Sequence, residues 1–415
     1  MNICMLVYHY YPVAAGGAEH QCRLQAHALA ERGHACRVLT TRVRFSHRRR
    51  ERDQAVEVIR FHTFQILLSL WIDCKKRFFF TPSSMPRKNV QVSQARQKSS
   101  DCGGGIEQCV RWVNALFFMA GVYVYVLRHR RRIDLLHTHI ASWNAGFANW
   151  LGRCFGIPVV CKAANLPAFH NFGKSVPFSR FWSDCRLQGF FIALTKEMER
   201  DLVLSGVAAD RIRVIPNGVV VPASTTDVKV HNQVLYVGNF TQGSEHKSFD
   251  VLIAAWSHVH KIAPELRLVI AGGGDSRSWV ELAHTLACGE SVVFLGHVED
   301  LSKHYLSSGI FVLPSRVEGI SNALLEAQSY GIPAVVTDIP GNRDVVKTRE
   351  TGLLVPVDDA ARLAEAILVL ASDTDLRQRL GTCARQYILE RFSMERTVEQ
   401  LEDLYRYLIH VDLQG

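Results

Sequence analysis

Pro314-Ser315-Arg316-Val317-Glu318-Gly319-Ile320-Ser321-Asn322-Ala323-Leu324-Leu325-Glu326-Ala327 is the stretch on which the reading of this chain turns. It follows the apolar run Ile310 to Pro314, which reads as a β-strand. Gly319 gives a turn, and Ser321 or Asn322 can cap a helix. That helix stops at Gly331, with Pro333 beyond it. Glu318 therefore falls in the loop before the helix. Glu326 falls about one and a half turns inside it, roughly 7 Å along the axis. Between them the unbonded amides of the first turn point outward and can receive an anion. Alone, Glu318 reads as a solvated loop residue and Glu326 as an ordinary helix former. Together, at the carboxyl end of a strand in an α/β domain, they read as a site.

Two series of short apolar strands alternating with amphipathic helices surround this stretch, which implies βαβ units and parallel sheets. The first series opens with Ile3 to Tyr8, a Gly-rich turn at Ala14 to Glu19, a helix from about His20 to Arg32, and a strand at Cys36 to Thr40. Its later strands are expected at Val56 to Phe61, Leu135 to His139, Val159 to Lys162, Gly189 to Leu194 and Ile212 to Ile215. A polar linker is expected at Val219 to Gln233. The second series runs from Val234 to a strand near Leu353, and the chain closes with a long amphipathic helix over about Ser393 to Ile409. The fold class expected is α/β with two Rossmann-like domains facing a cleft. One domain covers residues 1–216, completed by the helix at 393–415, and the other covers 217–392.

The whole chain has 415 residues, with 48 Lys and Arg against 39 Asp and Glu, a formal charge of +9. Ordinary proportions of apolar and charged residues exclude disorder, collagen and coiled coil. The positive surplus favours anionic partners, whether phosphorylated ligands, nucleic acid or an anionic membrane face. The arginines cluster in one insertion rather than interleaving with aromatics along a groove, which argues against nucleic acid. Eleven cysteines, an odd number with no C-x-x-C pair, give no zinc or disulfide framework. They read as free thiols in a reducing cytoplasm. The opening Met1 to Val7 reads as a first strand and not as a signal peptide.

Residues 62–133 break the alternation. They contain Ile66 to Trp71, the run Lys75 to Phe80, a polar loop from about Ser83 to Gly105, and the apolar run Trp112 to Leu127 closed by Arg128-His129-Arg130-Arg131-Arg132. Sixteen mostly apolar residues are short for a spanning helix, which needs about 20. The run reads either as a core-packed helix or as a membrane-facing surface flanked by basic clusters.

Two acids flanking an anion cradle match the layout of a nucleotide sugar, with a hydroxyl-rich hexose, a diphosphate and a hydroxyl-rich ribose. Here the chain resembles the retaining nucleotide-sugar glycosyltransferases of family 4, which have the two-domain GT-B fold. The likeness rests on Glu318-x7-Glu326, Gly16-Gly17-Ala18-Glu19, Pro216-Asn217-Gly218-Val219 and Val237-Gly238. It extends to Ala271-Gly272-Gly273-Gly274-Asp275, Gly296-His297-Val298 and Phe392-Ser393. The resemblance implies that Glu318 holds the donor sugar's hydroxyls, that Gly319, Ile320, Ser321 and Asn322 give amides to the diphosphate, and that Glu326 binds the ribose. It implies that Lys247 neutralises the leaving phosphate, that Gly17 and Gly238 let backbone approach it, and that the backbone at Val298 meets the base. Glu318 and Lys247 are the catalytic pair so implied.

Two departures from the family pattern stand out. Asn239 occupies the place of an arginine, with Arg316 as a candidate replacement for the lost charge. Ala163 occupies the place of a histidine, between Lys162 and Asn165. Lys162, Asn165, His139 and His9 are the candidates for the cleft's acceptor side. His137 and His139 share a strand face but lack a third metal ligand. Asp373-Thr374-Asp375 reads as a helix cap. Arg277 breaks a dinucleotide fingerprint at the glycines of 272–274, and Ser244 stands where a P-loop needs lysine, so hydride transfer and ATP hydrolysis find no support.

The expected function is transfer of a sugar, with retention, from a UDP- or GDP-sugar to a glycan or lipid-linked acceptor in cell-envelope or exopolysaccharide synthesis. No metal or other cofactor is expected, and the expected place is the cytoplasm, peripheral on the membrane's cytoplasmic face. The alternative is a non-catalytic sugar-nucleotide or glycan-binding protein that keeps the fold.

Overall fold

The structure, a computed structural model, describes residues 1–12, 16–44, 46–63, 100–141, 143–164, 181, 185, 187–223, 232–240 and 245–412. Asn165, the runs at 66–71 and 75–80, and most of the linker at 219–233 lie outside them.

Two sheets organise the chain. The first takes β1 (Asn2–Leu6), β2 (Ala35–Arg42), β3 (Arg50–Asp53), β4 (Val56–His62), β5 (Leu135–Thr138), β6 (Val159–Lys162), β7 (Phe190–Ala193) and β8 (Ile212–Val214). Their order is β3-β4-β2-β1-β5-β6-β7-β8, and β3 alone runs antiparallel to its neighbour. β3 is Arg-Glu-Arg-Asp, an all-polar edge strand with no apolar pattern to announce it. The second sheet takes β9 (Gln233–Val237), β10 (Arg267–Ala271), β11 (Val292–Gly296), β12 (Ile310–Leu313), β13 (Ala334–Thr337) and β14 (Gly352–Val355). Its order is β11-β10-β9-β12-β13-β14, all parallel. Central strands such as Ile310-Phe311-Val312-Leu313 are apolar at every position and buried, as a parallel sheet covered on both faces requires.

Each sheet reverses its strand order at one place, between β1 and β5 in the first and between β9 and β12 in the second. Loops leaving the carboxyl ends of such strands diverge and leave a crevice, the usual ligand position in open α/β sheets. The Gly-rich turn at 16–19 follows β1, and His139 follows β5. Gly238 and Asn239 follow β9, and Ser315 to Glu318 follow β12. The candidate residues thus gather at the two crevices because of topology.

Four helices bear on the crevices and their flank. They are α1 (Gly17–Glu31), α2 (Ser100–His129), α3 (Asn322–Ser329) and α4 (Met394–Asp412). α4 carries its apolar residues at Met394, Val398, Leu401, Tyr405 and Leu408, the stripe of a one-faced helix. That stripe packs with Cys22, Ala26 and Leu29 of α1 and Ile3 and Met5 of β1, so the chain's last helix rests on the first sheet. Val219 ties the crossing, its amide donating to the Phe392 carbonyl at 2.8 Å and its carbonyl accepting from Met394 at 2.9 Å.

α2 departs from the sequence expectation, since its helix begins at Ser100 where a polar loop was expected to run to Gly105. Gly103, Gly104 and Gly105 lie within it. Each glycine costs about 1 kcal/mol against alanine in a helix interior. The apolar turns that follow, with Phe118, Met119, Val122 and Val126 buried against the sheet, carry the helix.

Candidate functional site

The second domain's crevice forms where β12 hands over to α3. Ser321 is the N-cap, its hydroxyl accepting from the Leu324 amide. This leaves the earlier amides of the turn facing the crevice. Glu318 takes the Lys247 ammonium on Oε1, and the Ser315 hydroxyl donates to the same oxygen at 2.8 Å. Glu318 keeps 11 % of its side-chain exposure and Lys247 21 %, so the pair is braced yet reachable. Gly341 packs so closely under the Glu318–Gly319 backbone that any Cβ there would strike the Gly319 carbonyl. At Gly319 itself a Cβ would lie 2.9 Å from the Ala164 carbonyl, so this loop touches the first domain. Ile320 is buried beside it.

Glu326 lies further along α3, where the Tyr305 hydroxyl donates to it at 2.8 Å and the His20 ring of α1 stands 3.4 Å away. Tyr305 stacks on Tyr330 at 5.2 Å. Around β9, the Asn239 side-chain oxygen accepts from the Gly273 amide at 2.9 Å, bracing the glycine turn. Gly272 packs on the Gly238 carbonyl with no room for a side chain. Val298 is half-buried in the loop after β11. Tyr236 sits under Gly238 with its hydroxyl buried and unbonded. Burial, then the Glu318 charge, pushes that hydroxyl's pKa well up.

Arg316, the candidate replacement for a missing arginine, does not serve as one. Its guanidinium binds Asp358 at 2.7 Å and Asp250 at 3.0 Å, on the outside of the loop. Asp373 does cap a helix, accepting from the Leu376 amide at 2.8 Å.

A polar seam joins the two sides. The Asn322 side-chain amide donates to the Gly17 carbonyl at 3.0 Å, and its oxygen accepts from Gln21 at 3.1 Å and Asn217 at 3.0 Å. Gln21 also donates to the Gly218 carbonyl at 2.8 Å. Sequence reasoning named Gly17 and Asn322 but missed His20, Gln21, Asn217, Tyr236 and Tyr305. The spacing of Gln21 and Gln25, polar yet buried on the α1 face that continues from Gly17, was the available signal.

On the first domain's side, His9 is half-buried, its ring edge-on to Tyr8 at 4.7 Å and 3.5 Å from the Thr41 hydroxyl. Burial lowers its pKa. His139, expected to line the cleft, is instead fully buried with neither ring nitrogen bonded. It stacks on His137 at 4.3 Å, and His137 Nδ1 meets the Tyr405 hydroxyl of α4 at 2.6 Å. The returning helix α4 covers this strand face, which a strand-by-strand reading does not foresee. Lys162 is 3 % exposed, and its Nζ has no partner among the described residues. Burial holds its pKa down at about 7. Burial, then the Lys162 charge, lowers His137 to about 3. Among the described residues, no cluster of three or more His, Cys, Asp and Glu is placed to hold a metal.

Comparison with known proteins agrees with this architecture. Residues 16–218 match the family model described as glycosyl transferase 4-like domain, and residues 231–373 match that of glycosyl transferases group 1. A D-inositol 3-phosphate glycosyltransferase of Corynebacterium efficiens is 30 % identical over 331 residues, covering 72 % of this chain and 77 % of that protein. A UDP-Gal:α-D-GlcNAc-diphosphoundecaprenol α-1,3-galactosyltransferase of Escherichia coli is 25 % identical over 68 % of this chain and 78 % of its own length. The chain's match to the Staphylococcus aureus capsular polysaccharide glycosyltransferase CapM, 27 % identical over 43 % of this chain, spans about half of that relative, 47 %. Among solved structures, sucrose-phosphate synthase of Thermosynechococcus elongatus shares the fold at a TM-score of 0.72, with 21 % identity and 99 % of each chain covered. Anabaena HepE, solved with UDP, shares it at 0.68, with 16 % identity over 98 % of this chain and 100 % of that one. A two-domain α/β fold with these matches defines a GT-B glycosyltransferase. The chain belongs to the group 1 glycosyl transferases.

Proposed function

We propose that this glycosyltransferase uses a nucleotide sugar, most simply a UDP-sugar, and transfers the sugar with retention to a glycan or lipid-linked acceptor in envelope or exopolysaccharide synthesis. The observation that carries the reading is the Ser315–Glu318–Lys247 constellation beside the free amides of 319–322, with Glu326 on the same helix. The diphosphate lies against the helix turn and Lys247, the hexose meets Glu318, and the ribose replaces His20 at Glu326. As the sugar's bond to phosphate breaks, negative charge grows on the leaving oxygen, where an ammonium and fixed amides stabilise it. Attack from the face the phosphate leaves keeps the anomeric configuration, and the departing phosphate oxygen takes the acceptor's proton. Lys247 and the amides supply the positive field, so no metal step is invoked. The relative named for a UDP-galactose reaction on a diphosphoundecaprenol acceptor and the neighbour solved with UDP support the donor and acceptor classes.

A melting-point panel of UDP-, GDP- and ADP-sugars checks the donor. Ligands that bind the native state raise the melting temperature, and a UDP-sugar should raise it most. A panel that leaves the melting point unmoved contradicts the reading.

A peripheral position on an anionic membrane, at its cytoplasmic face, fits the flank. α2 buries Ala115, Phe118, Val122 and Val126 on one side and exposes Trp112, Leu116, Phe117, Val124 and Leu127 on the other. A helix apolar all round yet buried on one side asks for a second apolar medium. Arg128, Arg130, Arg131 and Arg132 end it, all exposed, as an anionic headgroup layer favours. Flotation with phosphatidylglycerol vesicles at low salt should carry the chain, and phosphatidylcholine vesicles should carry less of it. Equal flotation on both, or none, counts against the charge-assisted contact, as does self-association through this face in sedimentation.

A further inference from the structure

The described cations of the donor side are committed. Lys247 holds Glu318, and Arg316 holds Asp250 and Asp358. Asn239 brings no charge, and its oxygen is given to Gly273. One other cation is buried on the opposite domain, at the end of a strand whose following loop meets the seam. Lys162 ends β6, and two residues on, the Ala164 carbonyl meets the Gly319 loop. Two strand residues span about 7 Å. Its side chain leaves the strand on the same face as Val160, the face that packs under α1 and α4. There it acts on Cys22 of α1, the residue after Gln21, whose side chain donates to Asn322.

The groups facing Lys162 are His137 and His139 from β5 and Cys22 from α1, with Tyr405 of α4 behind His137. None is a carboxylate. A buried ammonium with no counter-ion is an arrangement folded proteins avoid, because nothing repays its lost hydration. An orphaned ammonium beside a ligand seam is explained when a ligand supplies the missing charge.

We propose that Lys162 is a phosphate-pairing residue, taking the donor's diphosphate as its counter-ion when the nucleotide enters between α1 and the 319–322 turn. It supplies from the first domain the positive charge that position 239 lacks. This rests on the nucleotide-sugar reading above. It also couples binding to a proton. With its pKa held at about 7 by burial, Lys162 is largely neutral at pH 8 in the empty chain. A neighbouring diphosphate favours the charged form, so the residue takes up a proton as the nucleotide arrives.

Calorimetric titration of the full chain with UDP at pH 8, in two buffers of different ionisation enthalpy, reads this directly. Wild type should take up a proton on binding. Lys162→Met should bind roughly tenfold more weakly and take up none. Lys162→Arg, always charged, should keep the affinity and also take up none. A melting series controls for folding. The folded pKa lies below the ordinary value of about 10.4, so between pH 7 and that value the unfolded chain holds more protons and wild-type stability rises with pH. Lys162→Met lacks this rise and should melt higher than wild type at pH 7. UDP binding with the same proton balance and affinity in wild type and Lys162→Met overturns the role of Lys162 while leaving the donor site standing. Failure of UDP to bind wild type overturns both.

Discussion

The two sides of the seam are built on opposite terms. On the second domain's side, the Tyr236 hydroxyl aside, the groups lining the crevice come in partnered sets: Glu318 with Lys247 and Ser315, Glu326 with Tyr305, Asn239 with Gly273. On the first domain's side, His139, Lys162 and one nitrogen of His137 are buried without partners among the described residues. A partnered set is rigid before ligand arrives, which is what stabilising a developing charge requires, since groups already oriented cost no reorganisation. The second domain's half is therefore preformed, and the first domain's half keeps buried groups without partners among the described residues.

The sharpest way to break this comparison is to remove the donor pair. Glu318→Ala and Lys247→Ala should each lower turnover about a hundredfold, roughly 2.7 kcal/mol of barrier, with the fold intact by circular dichroism. Near-normal rates in either variant would erase the distinction between the halves. A smaller effect sharpens it. Arg316→Ala cuts two ion pairs on an exposed flank. Exposed pairs of this kind contribute about 0–1 kcal/mol. Turnover should stay within about twofold of wild type. A hundredfold loss would place Arg316 at the phosphate after all.

Much of this was legible in the residues. Apolar runs such as Ile310 to Leu313 and Ala334 to Thr337 announced buried parallel strands, and Gly319 and Ser321 announced the turn into α3 because capping chemistry fixes where that helix begins. β3 was hidden because Arg-Glu-Arg-Asp carries no period. The start of α2 was hidden because three glycines outweigh local pattern until the later packing is known. The contacts across the seam were hidden for another reason. His20 with Glu326, and Gln21 with Asn322, are 306 and 301 residues apart in the chain, and no local pattern reports which side chains two domains bring together. His139 looked like a cleft residue from its strand alone. The return of α4, with Tyr405 set against His137, buries that strand face.

The most direct measurement is a crystal structure of the chain with UDP bound. The diphosphate should lie against the amides of 319–322 within hydrogen-bonding reach of Lys247, with the ribose hydroxyls at Glu326 in place of His20. Nucleotide density anywhere else, or a diphosphate that leaves Glu318, Lys247 and that helix turn untouched, would contradict the account.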